Sequence, residues 1–144
     1  MTAGRIVVGV DGSEPSLKAL RWAARQAALT GATLEVVTGW EYPATGWAGA
    51  APGWPPDFDP ETIARQTLDE AVAAGLDEAT AAAVERVVVA GHPAQALVDR
   101  AAGADLLVVG DRGYSGFKAA VLGSVGLHVT QHAPCPVVVV RGEV

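Results

Sequence analysis

The chain has 144 residues, of which half are hydrophobic and 6% are aromatic, and its formal net charge is −6. This length suits one core of ordinary size, and we expect a single domain over residues 1–144. The negative charge argues against nucleic acid and anionic membranes as partners. The sequence shows no signal-peptide pattern and no membrane-spanning apolar stretch, so we expect a cytoplasmic protein.

Short apolar strands alternate with helical segments along the chain. The predicted strands cover residues 5–10, 34–40, 84–90, 105–109 and 136–140. Helices are predicted over residues 13–31, 59–83, 92–103 and 124–132, because capping residues or first-turn prolines stand at their starts and apolar residues recur at helical spacing. This alternation predicts an α/β, Rossmann-like fold, with a parallel sheet covered by helices on both faces.

A glycine pattern near the C-terminal end carries the strongest functional signal. It reads Gly-Asp-Arg-Gly at residues 110–113, then nine residues, then Gly-Ser at 123–124, and it directly follows the strand at 105–109. Glycine lets a ligand approach the backbone because it has no Cβ, and the free amides of a helix start attract anions. The pattern therefore predicts a phosphate-binding loop. The motifs of Walker-type NTPases and of dinucleotide-binding dehydrogenases are absent from the sequence.

Asp11 is a second candidate, because it follows the first predicted strand. Open parallel sheets bind ligands beyond the carboxyl ends of their strands, where the strand order reverses. If the strands at 5–10 and 105–109 are neighbours, Asp11 and Gly110 face one crevice. A carboxylate there can accept ribose hydroxyls or help to hold a divalent cation on phosphates. The alternative is that Asp11 only caps its own turn, and the nearby phosphate loop favours the nucleotide role.

Four segments of the sequence resemble the universal stress protein family. They are Val-Gly-Val-Asp-Gly-Ser at residues 8–13, Gly-His-Pro-Ala-Gln-Ala-Leu at 91–97, Ala-Asp-Leu-Leu-Val-Val-Gly-Asp-Arg-Gly at 104–113, and Leu-Gly-Ser-Val at 122–125 ahead of the terminal valine run. The resemblance extends over residues 5–141. The ATP-binding branch of that family is marked by Gly-x2-Gly-x9-Gly-Ser/Thr, which this chain satisfies at Gly110, Gly113, Gly123 and Ser124.

The resemblance implies a five-stranded parallel sheet in the order 3-2-1-4-5 and an ATP site with Mg²⁺ or Mn²⁺ on the phosphates. Asp11 would hold the ribose or the metal, and the backbone near Gly39 would meet adenine. Val109 and Gly110 would line the nucleoside, and the phosphates would be held by Gly113, Gly123, Ser124 and Val125. The implied site residues are Asp11, Gly39, Val109, Gly110, Gly113, Gly123, Ser124 and Val125. The family also implies a homodimer through the last strand, whose short apolar edge is suited to pairing.

The sequence departs from the family pattern at Asp111, where relatives usually carry a small or hydroxyl residue. A carboxylate beside bound phosphates repels them unless Arg112, Lys118 or a cation offsets its charge. The alternative, which we favour, is that Asp111 points to solvent or pairs with Arg112.

Three further features have competing interpretations. His128 and His132 are spaced to ligate zinc, but no cysteine or carboxylate accompanies them, which favours a solvated pair. Cys135 is the only cysteine, so an intramolecular disulfide is excluded, and we expect an inert, half-buried thiol. Residues 41–58 form a loop whose Trp47 and Trp54 either make a lid or partner surface or fold back onto the sheet.

The function favoured by the sequence is regulatory ATP binding in a stress response, with little or no turnover. The rival is an enzyme, a slow ATPase or a nucleotidyl transferase, that uses the same crevice. The sequence around the glycine pattern offers no positioned general base or arginine finger, and this disfavours the enzyme. Two alternatives stay open: a relative that binds cyclic AMP, and a nucleotide-free dimerisation module.

Overall fold

The computed structural model describes residues 4–40, 59–111 and 123–141, in which strands and helices alternate. The strands are β1 (Arg5–Gly9), β2 (Thr33–Trp40), β3 (Glu85–Ala90), β4 (Leu106–Gly110) and β5 (Val137–Val140). The helices are α1 (Glu14–Thr30), α2 (Pro60–Gly75), α3 (Glu78–Ala83), α4 (Pro93–Arg100) and α5 (Ser124–His132). The predicted α/β fold is confirmed.

Within the described residues, the five strands form one sheet in the order β3-β2-β1-β4-β5. Every neighbouring pair is parallel. The order expected from the family resemblance is therefore confirmed. Along the chain, β2 and β3 are added on one side of β1, and β4 and β5 are then added on its other side. The switch point lies between β1 and β4, where open parallel sheets place their ligands.

Successive strand residues point to opposite faces of the sheet, and helices cover both faces, so the sheet is buried on each side. Ile6 and Val8 of β1 pack under α1 and α2, with Leu20 and Leu68 among their buried neighbours. Val7, between them, faces the other side and joins the core cluster beneath α4 and α5. The valine-rich strands and alanine-rich helices thus supply two thin cores, one on each face of the sheet.

One predicted element was wrong, because the helix expected over residues 59–83 is two helices. Its first part, α2, ends at Gly75, and Leu76 adopts an extended conformation. Glycine is a weak helix former, and the Asp77 carboxylate then caps a new helix by accepting from the Thr80 amide at 2.7 Å. In the described ranges, none of the helices combines the length and the apolar character needed to cross a membrane.

Candidate functional site

A cavity of about 240 Å³ opens at the carboxyl ends of β1, β2 and β4, beside the switch point of the sheet. We call it the cleft. Seven of the eight site residues expected from the sequence line it: Asp11, Gly39, Val109, Gly110, Gly123, Ser124 and Val125. The eighth, Gly113, lies outside the described residues, as do Arg112, Lys118 and residues 41–58 with their two tryptophans. Parallel topology brings together residues that are more than a hundred positions apart.

The two ends of the glycine pattern meet in the structure. The Gly123 amide donates to the Asp111 carbonyl at 2.8 Å, and the Asp111 amide donates to the Val140 carbonyl at the end of β5, at 3.0 Å. These two bonds fix the start of α5 next to Gly110. Both atoms that Asp111 contributes belong to its backbone, so this closure does not depend on which side chain stands at position 111.

The N-terminus of α5 lines the cleft, and the described residues supply no side-chain cap to it. Gly123 is its N-cap residue and makes no side-chain capping bond, and Ser124, Val125 and Gly126 of its first turn all line the cavity. The first amides of a helix have no partner within the helix, and the helix dipole adds partial positive charge there. This end of the cleft is therefore suited to an anion.

The other two helices that reach the cleft use their first turns internally. Ser13 caps α1 by accepting from the Ser16 amide at 3.4 Å. His92 caps α4, since its Nδ1 accepts from the Ala94 amide at 3.2 Å. Around the cleft, the start of α5 thus differs from its neighbours in having no capping side chain among the described residues.

The structure is compatible with both of the roles that the sequence allows for Asp11, namely capping its own turn and contacting a ligand. Its Oδ1 accepts from the Ser13 amide at 2.9 Å, which is the turn-capping interaction. The side chain is nevertheless exposed and lines the cleft. A carboxylate has about four acceptor sites, so one hydrogen bond leaves capacity for a ribose hydroxyl or a cation. Asp11 is the one ionisable side chain among the described residues that line the cleft.

Glycine at position 110 has a structural reason that the sequence did not suggest. A Cβ on Gly110 would lie 2.7 Å from the Pro15 carbonyl oxygen, so its missing side chain faces the first turn of α1. Gly39 is similar, because a Cβ there would lie 2.8 Å from the Pro93 Cα. Both glycines let a helix start approach a strand end closely. Their effect on the cleft is structural, because they allow its walls to pack closely together.

Several lining residues were not expected from the sequence: Gly9, Val10, Ser16, Val37, Pro93, Leu97 and Gly126. The apolar members give the cleft one nonpolar end, where Val37 and Leu97 are buried. Pro93 was recoverable from its place after β3, by the same strand-end rule that found Asp11. Leu97 was not, because its contact with the cleft depends on how closely α4 packs on Gly9, where a Cβ would lie 2.6 Å from the leucine Cδ1.

The remaining polar candidates lie outside the cleft. His128 and His132 have ring centroids 4.6 Å apart, and His128 Nε2 lies 3.2 Å from Gln95 Oε1. No group of three or more His, Cys, Asp or Glu side chains suited to a metal occurs in the described part of the chain. Burial, reinforced by Asp105 and opposed by Arg5, raises the pKa of the Cys135 thiol, as expected for an inert cysteine.

Fold and cleft together define a class: α/β proteins with a ligand cleft at the switch point of a parallel sheet. Within that class the chain belongs to the universal stress protein family, whose sequence model matches residues 2–141. It is 36% identical over 136 residues to the universal stress protein Rv2623 of Mycobacterium tuberculosis, which covers 94% of this chain and 44% of that protein. The chain spans about half the length of the mycobacterial relatives that it matches.

Two solved structures of similar proteins contain nucleotides. One is a universal stress protein in complex with cAMP, which is 33% identical, has a TM-score of 0.64 and covers 99% of this chain and all of that one. The other is the universal stress protein of Archaeoglobus fulgidus in complex with dAMP, 27% identical with a TM-score of 0.63, covering 97% of this chain and 99% of that one. These two relatives bind adenine nucleotides.

Proposed function

We propose that the cleft binds ATP together with Mg²⁺ or Mn²⁺, and that binding is regulatory in a cytoplasmic stress-response protein. One observation carries the proposal: a single cavity joins a buried apolar end, an exposed carboxylate and a helix N-terminus that receives no capping side chain from the described residues. An adenine nucleotide has the same sequence of chemistries, namely a flat apolar base, a ribose with hydroxyls, and phosphates. The cAMP and dAMP complexes of the two relatives support an adenine nucleotide.

The proposed roles follow from the position of each residue around the cleft. Adenine occupies the end formed by Gly39, Val37 and Leu97, and Val109 with Gly110 lines the nucleoside. The ribose lies beside Asp11. The phosphates lie against the first turn of α5, where Gly123, Ser124 and Val125 present backbone amides and a hydroxyl. Gly113 is assigned to the phosphates by the family pattern alone.

A divalent cation fits the site as a companion of the phosphates rather than as a resident of the protein. Asp11 supplies one exposed carboxylate, and the described residues contain no cluster able to hold a metal alone. Magnesium in such sites keeps several waters and binds through one or two carboxylates plus phosphate oxygens. We therefore expect the cation to bind with ATP and not before it.

The lining also supports binding with little turnover. Among the described lining residues, Asp11 is the one candidate for a general base, and its carboxylate already accepts the Ser13 amide. Phosphoryl transfer depends on a positioned base or a charge-stabilising arginine. With the purified chain alone, phosphate release should stay at background, and turnover well above it would favour the enzyme alternative.

Calorimetric titration of the chain with ATP and Mg²⁺ tests the proposal, and absence of binding at millimolar ATP would overturn it. Ser124→Ala should weaken ATP by roughly tenfold or more, since hydrogen bonds to charged groups contribute about 1.5–3 kcal/mol. Thr130→Ala is the matched control, because its hydroxyl bonds the Leu127 carbonyl at the far end of α5. Asp11→Asn preserves an acceptor for the Ser13 amide while removing the charge, so it should weaken Mg²⁺-dependent binding selectively.

Cyclic AMP is the second candidate ligand, because the relative solved with it is 33% identical to this chain. Competition between ATP and cAMP in the same titration decides between them. If cAMP displaces ATP at equal concentration and Mg²⁺ has no effect, the cleft recognises the nucleoside and a single phosphate. If ATP wins and needs Mg²⁺, the phosphate end of the cleft dominates the affinity.

We also propose that the chain forms a homodimer through β5. This strand pairs with β4 on one side and stands at the edge of the described sheet on the other. Its four residues are valines, which suit a continuous β-sheet or a packed strand interface. Sedimentation tests this: the wild type should have the mass of a dimer and Val139→Lys that of a monomer. The same mass for both proteins would contradict the proposal.

A further inference from the structure

A second concavity lies at the opposite end of the strands from the cleft. We call it the basal groove. It has a volume of about 740 Å³ and is bounded by α1, by the end of α2 and by α3. Leu34, Leu76 and Val84 contribute apolar surface to its lining. Because it opens at the amino ends of β2 and β3, it is separate from the proposed nucleotide site.

The two helical walls of the basal groove are built from small residues. Ala24 and Ala28 line it from α1, and Ala79 and Ala83 line it from α3, in each case one helical turn apart. At these alanines another helix can approach the walls closely, and Arg21 and Arg25 are the long side chains that stand beside them on α1.

The charge of the basal groove is opposite in sign to that of the whole chain, which is −6. Arg21 and Arg25 line it from α1, and Asp77 is the one acid among its lining residues. The Asp77 carboxylate is engaged as the cap of α3, where its bond with the Thr80 amide lowers its pKa. The groove therefore offers two guanidinium groups against one ionised carboxylate, and that carboxylate is already engaged by α3.

Neither arginine is held strongly by the described part of the chain. Arg21 lies 3.6 Å from a Glu14 oxygen, and both side chains are exposed, so this pair contributes little. Arg25 has no ion pair among the described residues. Leu29 follows Arg25 by one turn and is 79% exposed, which makes it the most exposed of the large apolar side chains described.

We propose that the basal groove binds an acidic amphipathic helix of a partner protein. Large apolar side chains of that helix would fill the space between the alanine walls. Its flanking carboxylates would pair with Arg21 and Arg25, as an amphipathic helix in a charged groove does. Nucleotide state and partner would then be read at opposite ends of the same sheet.

The test uses the full chain and two synthetic helical peptides as probes. One carries a ridge of leucines flanked by glutamates, and the other has lysine at every glutamate position. Amide chemical shifts of the chain are followed while each peptide is titrated. The glutamate peptide should shift amides of α1 and α3 and bind at least about tenfold more tightly than the lysine peptide, since two exposed ion pairs are exchanged for two repulsions.

Charge reversal in the chain supplies the matched comparison. Arg25→Glu should weaken the glutamate peptide and strengthen the lysine peptide. Arg65→Glu makes the same change of net charge on exposed α2 surface that does not line the groove, and it should leave both peptides unchanged. The amide spectrum of each variant without peptide checks that it is folded.

Four outcomes would overturn the proposal. They are no shifts in α1 and α3 at millimolar peptide, equal affinity for the two peptides, and equal loss of binding in Arg25→Glu and Arg65→Glu. The fourth is a shift of the same amides with protein concentration alone, which would make a second copy of the chain the occupant.

Discussion

Replacing Gly110 by alanine separates the two reasons for a glycine at this position. If glycine serves only to let a ligand approach, the substitution should reduce nucleotide affinity and leave the free protein as stable as before. The structure predicts the opposite order of effects. The new Cβ would lie 2.7 Å from the Pro15 oxygen and 2.8 Å from its carbonyl carbon, where ordinary contacts begin near 3.4 Å.

The expected loss of stability follows from two opposing effects. The neighbouring atoms are backbone of the first turn of α1, so they cannot rotate away and the turn must shift by several tenths of an ångström. Overpacking of this kind costs about 1–3 kcal/mol. Alanine also restricts the unfolded chain, which returns about 0.4–1 kcal/mol. We expect Gly110→Ala to lower the free energy of unfolding by about 1–2 kcal/mol in the absence of nucleotide.

Urea denaturation of the nucleotide-free protein measures this, with the midpoint compared at equal slope. For a domain of this size each 1 kcal/mol corresponds to roughly 3–4 °C in Tm, which gives an independent check. Ser124→Ala should show the reverse pattern, with unchanged stability and weaker ATP binding. If Gly110→Ala has the wild-type midpoint and loses only affinity, the packing explanation is wrong.

Three further predictions concern groups outside the cleft. Glu35 is buried between Arg100, at 2.7 Å, and Arg5, at 3.5 Å. Glu35→Gln should therefore lower the free energy of unfolding, measured in urea, by about 1–2 kcal/mol, a value that is kept small because both arginines are partly exposed. ATP affinity should not change. The hydrogen bonds from Thr80 hold the pKa of Asp77 below its usual value. The stability difference between the wild type and Asp77→Ala should therefore be present at pH 7 and vanish as the pH falls through that lowered pKa. A difference that survives in strong acid would contradict this. Because burial raises the pKa of Cys135, alkylation of the folded protein should be slower than that of the urea-unfolded chain at neutral pH, and equal rates would refute an inert thiol.

The strands and most of the helices were predictable because each depends on a local signal, whereas the order of the strands was expected from the family resemblance. Apolar runs, capping residues and first-turn prolines are read within a few positions, and the strand-end rule then brings Asp11 and Gly110 to one place. The break between α2 and α3 escaped prediction because Leu68, Val72 and Leu76 continue the helical spacing across it. The decisive signals, Gly75 and Asp77, are each compatible with an uninterrupted helix.

Buried charge was the least predictable feature, since its partners are distant in the sequence. Glu35 is a lone acid in an apolar strand, where the sequence alone gives no reason to expect burial. Its side chain is 2% exposed because Arg5 and Arg100 converge on it from β1 and α4. Such a network depends on tertiary packing, and only the assembled sheet shows it.

The distribution of polar groups explains why the cleft, rather than another part of the fold, carries the functional proposal. In the described ranges every buried side-chain nitrogen and oxygen has a hydrogen-bond partner. The starts of α1 and α4 are capped by Ser13 and His92, and Glu35 is neutralised by two arginines. At the start of α5 the described residues supply no capping side chain. A fold that satisfies its own polar groups elsewhere leaves hydrogen-bonding capacity beside an apolar slot, and a ligand with an anionic end and an apolar end supplies both partners at once.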